Sequence, residues 1–265
     1  MSLQLRVPAW ARTAFRAHLW LVLAFLYLPI AVLVLLSFNR AGMPTAWTGF
    51  SLDWYRALFD AGPVLRAALN SLIVATGTTL LATVLGTALA LGLEQRANPA
   101  WLEALLMAPM IIPDIVLAIA LLSFYTALGA TLGLHSIVLS HVVFDLAFVC
   151  VVVRTRLRNF DPALVEVSAD LGASRWATFR LVVLPLILPG VLAAALLAFT
   201  LSVDEFIIAY FTAGAGAAST TLPMQIYSMI RFGVTPEINA LATLILGFSL
   251  TALLTAQRLT PNPGT

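Results

Sequence analysis

Six long apolar runs, little charge and a lopsided distribution of arginine predict an all-α membrane protein with six transmembrane helices. Hydrophobic residues fill 61% of the 265 positions and charged ones only 10%, an apolar excess that belongs in lipid rather than around a soluble core. The runs fall roughly at Leu19 to Phe38, Ala67 to Leu93, Leu102 to Leu128, Leu134 to Val153, Leu186 to Phe211 and Ile238 to Gln257. Each is long enough to cross ~30 Å of hydrocarbon at ~1.5 Å per residue. With the N-terminus inside, the inner segments hold ten arginines (Arg6, Arg12, Arg16, Arg96, Arg154, Arg156, Arg158, Arg175, Arg180 and Arg258) and the outer segments four (Arg40, Arg56, Arg66 and Arg231). That asymmetry follows the positive-inside rule and puts both termini in the cytoplasm.

Composition also excludes functions. All fourteen basic residues are arginines, and a P-loop needs its lysine, so the chain cannot bind nucleotide through that device. Any ATP and Mg that drive it belong to another polypeptide. The single cysteine, Cys150, rules out an intrachain disulfide and fits a small buried hydrophobe. Lipid is the surroundings this surface suits, and nothing calls for nucleic acid.

The elements follow in order. Arg6, Arg12 and Arg16 precede a first run too long for the core of a signal peptide, so it reads as a retained span, with a kink expected at Pro29. Ser51 caps a short helix to Asp60, with Trp47, Trp54 and Tyr55 settling at the outer interface. The second span opens on Asn70-Ser71 and carries Gly77, Gly86 and Thr87, residues small enough for close helix packing. Between the fifth and sixth spans, Pro223 to Arg231 is expected to form an outer helix, and Thr260 to Thr265 form a tail without evident structure. This divides the chain into an N-terminal span with its outer segment (1–66), a core (67–257) and a cytoplasmic tail (258–265).

The densest arginine cluster flanks the stretch Phe160 to Pro189. Asp161 before Pro162 is an N-cap with proline at the first helical position. Leu164, Val167 and Leu171 then share one face, opposite Glu166 and Asp170. Gly172 is where such a helix stops. Ser174 caps a second helix, Arg175 to Val183, which Pro185 is expected to end. The result is a helix–glycine–helix knob at the inner face.

Ionisable groups within spans are costly and ask for an explanation, and here those in the span bodies are mainly acidic. Asp114 follows Pro113 in the third span and either caps a restarted helix or lines a pathway. Asp145, in the fourth span, has His141 one turn before it, so a buried His–Asp pair is expected. A metal site is not, because His135 lies off that face and no third ligand has suitable spacing. Asp204 and Glu205 point about 100° apart on a continuous helix, so at least one should face the bundle interior. A substrate or gating role, a salt bridge to a partner, or protonation by burial each explain them. A path with several negative charges suits a cationic solute, with Phe206, Tyr210 and Tyr227 adding cation–π contacts.

Glu166-Val167-Ser168, then Gly172, then Val182-x-Leu184-Pro185 resembles the signature loop of ABC importer permeases, departing at Val167 and Ser168 (usually alanines) and at Val182 (usually isoleucine). Pro113-Asp114-Ile115-Val116, Ser202-x-Asp204-Glu205 and the run Thr221 to Thr243 resemble the spermidine/putrescine importers, the PotC-like branch. The likeness covers nearly all of the chain after about Ala67. It implies a type I importer permease fold, residues 67–257 being its transmembrane core, with a cytoplasmic coupling helix between the fourth and fifth spans. It implies that Glu166, Val167, Ser168, Ala169, Asp170, Leu171, Gly172 and Ala173 contact an ATPase dimer, with Leu184 and Pro185 transmitting the motion. Asp204, Glu205, Asp114, Tyr210 and Tyr227 would line the substrate pathway. A second permease, a paralogue, and an extracytoplasmic binding protein would complete the complex in the bacterial inner membrane, and this chain would bind no cofactor and catalyse nothing itself. Two other classes compete. An intramembrane aspartyl enzyme lacks its Gly-x-Gly-Asp pattern here, and an ion-driven secondary transporter lacks clear repeated halves.

Overall fold

The computed structural model describes residues 8–41, 47–94, 99–231, 233 and 235–259. Arg6, Arg96 and the tail Thr260 to Thr265 therefore lie outside the described residues. Within them the structure is helical, and the only extended pairing is a bridge between Asn39 and Phe50. Two compact units form: Met1–Gly62 with Ser228–Thr265, and Pro63–Tyr227.

In the first unit, α1 (Ala9–Leu36) starts directly after Pro8, which carries no amide to lose, and so extends through Arg12 and Arg16 well before the first apolar run. It continues through Pro29 as one helix. Where α1 ends, the Asn39 carbonyl accepts from Trp54 Nε1 at 2.8 Å, and Ser37 Oγ pairs with the Tyr55 hydroxyl at 2.6 Å. These aromatics thus tie α2 (Asp53–Asp60) to the end of α1 rather than serving only as interface anchors. The Ser51 hydroxyl accepts from the Asp53 amide at 2.9 Å, but the N-cap position of α2 is Leu52, one residue later than expected. α12 (Pro236–Leu259) packs against both α1 and α2.

In the second unit, α3 (Gly62–Glu94) crosses in one piece. The third span does not. α4 (Ala100–Ile111) and α5 (Asp114–Ala127) meet at 107°, because Pro113 drives Ile112 out of the helical region to ψ 134°. α6 (Leu134–Arg158) is continuous and mostly buried. It is followed by α7 (Ala163–Asp170) and α8 (Arg175–Thr178), then a π-helical turn (Phe179–Val183) that leads straight into α9 (Leu184–Asp204).

Two expectations fail here. Pro185 does not end the second knob helix; residues 175–204 form one unbroken span. The π turn re-registers the hydrogen bonding ahead of Pro185, so its missing amide falls in the first turn of α9. The fifth span also stops earlier than its apolar run, at Asp204, and α10 (Ile207–Thr212) is a separate helix. α11 (Leu222–Ile230) is the helix expected between the fifth and sixth spans.

α6 and α9 run antiparallel and share the core with α3 and α4, through Ala82, Leu106, Val149, Ile187, Ala194 and Ala198. Of the glycines in α3, Gly86 permits the close approach, since a Cβ there would lie 2.7 Å from Val149 Cγ1. Gly77 has ordinary room, 3.5 Å from Val138. Four described helices are long and apolar enough to span alone, the α4–α5 pair makes a fifth if taken together, and α12 is apolar over Pro236–Thr251.

Candidate functional site

The knob is built by local chemistry. Asp161 Oδ1 accepts from the Ala163 amide at 3.0 Å, and Pro162 already holds helical angles (φ −63°, ψ −22°). At the other end Gly172 takes φ +80°. Its amide donates to the Ala169 carbonyl at 2.9 Å and the Ala173 amide to the Ser168 carbonyl at 3.1 Å, the two bonds of a Schellman stop. Ser174 Oγ then accepts from Ala177 N at 3.2 Å and starts α8. Ser168, where the resemblance leads one to expect alanine, bonds Thr178 Oγ1 at 2.9 Å and clamps α7 to α8.

No residue of α7 is buried. Leu171 is 83% exposed and Trp176 69%, with Leu164 and Val167 uncovered beside them. An apolar patch of this kind marks an interaction surface. Behind it, Glu94, Arg158, Glu166, Ala169, Arg175 and Thr178 help line a cavity of about 1000 Å³. Leu184 and Pro185 lie past the π turn, already within the span.

At this end of the unit an ion-pair cluster joins three helices. Arg154 reaches Glu94 at 2.9 Å and Glu103 at 3.0 Å, and Arg158 reaches Glu94 at 3.3 Å. Arginines that in the sequence speak only of topology here bind α3, α4 and α6 together.

The acidic residues converge elsewhere. α9 ends on Asp204, which is exposed, and Glu205 is extended (φ −69°, ψ 116°). The two carboxylates are therefore not adjacent positions on a continuous helix. Glu205 Oε1 accepts from the Ile208 amide at 2.9 Å and so caps α10, satisfying an amide that the break would leave bare. Asp114 is the first residue of α5, Asp145 lies on α6 and Asp204 ends α9. α10 packs on both α5 and α6, which brings these carboxylates into one region.

Beside them the rings gather. Phe206 lies 5.5 Å from Tyr210 and 4.8 Å from Tyr227, and the two tyrosines sit 6.3 Å apart nearly edge-on. Tyr210 and Tyr227 are about half exposed. All five expected pathway residues thus fall around the α9–α10 break.

Asn70 and Ser71 do more than pack helices. Asn70 Nδ2 donates to the carbonyls of Ala218 and Thr220 at 3.0 and 2.9 Å, and Ser71 Oγ accepts from the Leu222 amide at 2.8 Å. They pin the loop that starts α11 and hence place Tyr227. The expected His–Asp pair does not form. His141 Nδ1 bonds Ser202 Oγ at 2.8 Å, while Asp145 is buried with neither carboxyl oxygen hydrogen-bonded. Residues four apart on a helix can pair, but here the imidazole bonds across the seam to Ser202 on α9 instead. Among the described residues no group of three His, Cys, Asp or Glu side chains could hold a metal ion.

Residues 82–259 match the family described as "Binding-protein-dependent transport system inner membrane component". The chain belongs to this family. It is thus a multi-pass inner-membrane component of a transport system that works with a binding protein, and the matched segment contains both the knob and the α9–α10 break. Among curated relatives, it is 39% identical over 246 residues to the spermidine/putrescine transport system permease protein PotC of Haemophilus influenzae, covering 92% of this chain and 95% of that one. It is 41% identical over 233 residues to the putrescine transport system permease protein PotI of Escherichia coli, covering 84% and 82%. Among solved structures, a bacterial ABC transporter involved in import of the acidic polysaccharide alginate has a chain of the same fold, with TM-score 0.74, 18% identity and coverage of 95% and 96%. The same kind of transporter in complex with a pentasaccharide-bound periplasmic protein gives TM-score 0.71 at 19% identity, covering 94% and 93%.

Proposed function

We propose that this inner-membrane component is a permease subunit of an ATP-driven polyamine importer, carrying spermidine, putrescine or a close analogue. The observation that carries the reading is the gathering of Asp204, Glu205 and the Phe206–Tyr210–Tyr227 rings at the helix break, with α10 packed on α5, which Asp114 begins. Carboxylates attract ammonium groups, and aromatic faces hold both the cation and the alkyl chain. The identity with polyamine permeases supports the same solute class.

In this reading the chain crosses six times, with the bent α4–α5 pair and α12 each counted as one span and both termini in the cytoplasm. α7 is a coupling helix, and residues 166–173 dock into a dimer of ATPase subunits. Because α8, the π turn and α9 are continuous, closure of that dimer moves the span ending at Asp204 as one lever. A paralogous permease faces this one, and a binding protein delivers solute beside α11. ATP and Mg act on the ATPase and never on this chain.

The test is ATP-dependent uptake by the reconstituted complex across a panel of cations, amino acids and sugars. Stimulation of hydrolysis and uptake by loaded polyamine-binding protein is expected. Uptake of neutral or anionic solutes with none of polyamines would refute the substrate, and uptake without an ATPase would refute the class.

A further inference from the structure

The carboxyl group left over by the arrangement above is Asp145. Its side chain is fully enclosed, at 0% exposure, and neither oxygen has a hydrogen-bond partner. His141 Nε2, one turn away on α6, is also buried and unpartnered. The ion pairs of the described residues all lie elsewhere. A polar group sealed this way in a span is kept only at a cost, and such residues mark pathways more often than packing.

Its position along the seam follows from the antiparallel register. His141 faces Ser202 through a 2.8 Å bond, and Arg156 Nε donates to the Leu186 carbonyl at 3.3 Å further along. Each step forward on α6 is a step back on α9, so Asp145 lies level with Ala198, itself at 0% exposure. Asp204, the last residue of α9, is farther along by about 9 Å at ~1.5 Å per residue, and Glu205 follows it past the break. That offset places the two acidic positions at successive levels of the same seam, as stations passed one after the other would be. Level with Asp145, the α9 side of the seam is Ala194 and Ala198, which offer only methyl groups, whereas the large side chains Val149, Val153 and Ile187 fill the seam further along.

We propose that Asp145 is an inner binding station for an ammonium group, reached after the outer station at Glu205, Asp204 and Asp114. It rests on the polyamine reading and deepens it. The inner carboxylate draws the leading ammonium of the polyamine past the helix break. His141, held by Ser202, lines the step between them.

The test compares wild type, Asp145→Asn and Asp145→Glu in the complete complex in proteoliposomes, with radiolabelled putrescine and spermidine as probes. Asparagine keeps the shape and polarity but not the charge. Asp145→Asn should retain binding-protein-stimulated ATP hydrolysis within about twofold while uptake falls at least about tenfold. Asp145→Glu should restore part of the uptake and change the putrescine-to-spermidine ratio of kcat/KM by about threefold or more. Unchanged uptake by Asp145→Asn, or parallel loss of uptake and stimulated hydrolysis, overturns the proposal. Should Asp145→Asn fail to assemble, the glutamate variant decides, and an unaltered selectivity ratio overturns it. A wild-type complex that imports neither amine removes the polyamine reading as well, whereas normal wild-type uptake with an indifferent Asp145 removes this inference alone.

Discussion

Gly172 gives the sharpest test of the knob, because its cost can be worked out from the backbone alone. It ends α7 at φ +80°, and a Cβ built there meets nothing within 4 Å. A substitution therefore pays only for the dihedral and not for a collision. An L-residue in the left-handed region loses ~1–2 kcal/mol, and a β-branched one more. That is roughly a 5–30-fold loss in the population holding the Schellman turn. Asparagine tolerates this region, so the expected order of activity is Gly172, then Asn, then Ala, then Val. The assay is ATP hydrolysis stimulated by loaded binding protein, with amine uptake, in nanodisc and vesicle complexes matched for inserted protein. Val should abolish stimulated transport while insertion stays normal. Equal activity of Gly and Val would refute the need for the turn. An Asn variant as poor as Val would refute the dihedral account and point to bulk at the docked surface instead.

Other perturbations separate the remaining parts. Leu171→Asp, at an 83% exposed position, should leave the permease's melting temperature within about 2 °C but weaken copurification of the ATPase about tenfold or more; undiminished copurification would show that the apolar patch is not the docking face. Asn70→Ala leaves two carbonyls without their donor, costing ~1–3 kcal/mol locally, and should raise the half-saturating amine concentration with basal ATPase unchanged. An unchanged KM would mean that the α11 loop is held by other bonds. Gly86→Val drives a Cβ into Val149 and should cost ~1–3 kcal/mol, read as a lower melting temperature in detergent, and no shift would argue against close α3–α6 packing. Arg154→Gln removes the shared partner of Glu94 and Glu103. With both carboxylates partly exposed this should cost about 1 kcal/mol or less, and the difference from wild type should shrink in high salt.

The knob was readable residue by residue because each of its devices is local. Asp161-Pro162, Gly172 and Ser174 act on amides within a few positions of themselves. The helix α11 was readable for the same reason. Pro113 announced a break but not its 107° angle. Pro185 misled, since the π turn that absorbs it leaves no mark in hydrophobic periodicity. The break at Glu205 has no glycine or proline to signal it. It exists because α10 packs on α5 and α6, and because the Glu205 side chain replaces the lost helix bond. Asn70 and Ser71 looked like packing residues, and their partners lie about 150 positions away.

By itself the sequence determined how many apolar runs this chain has, the uneven placement of arginines between them, the absence of a lysine-dependent nucleotide site and the local stops and starts of the knob. Those features depend on side-chain solubility and on hydrogen bonds between near neighbours, which a linear order specifies. Only the tertiary structure decided which carboxylates share a region, that His141 turns to Ser202 and leaves Asp145 alone, and that the knob's second helix is the root of a span. Each of these is a choice among distant partners, settled by which helices can approach closely enough to exclude the alternatives.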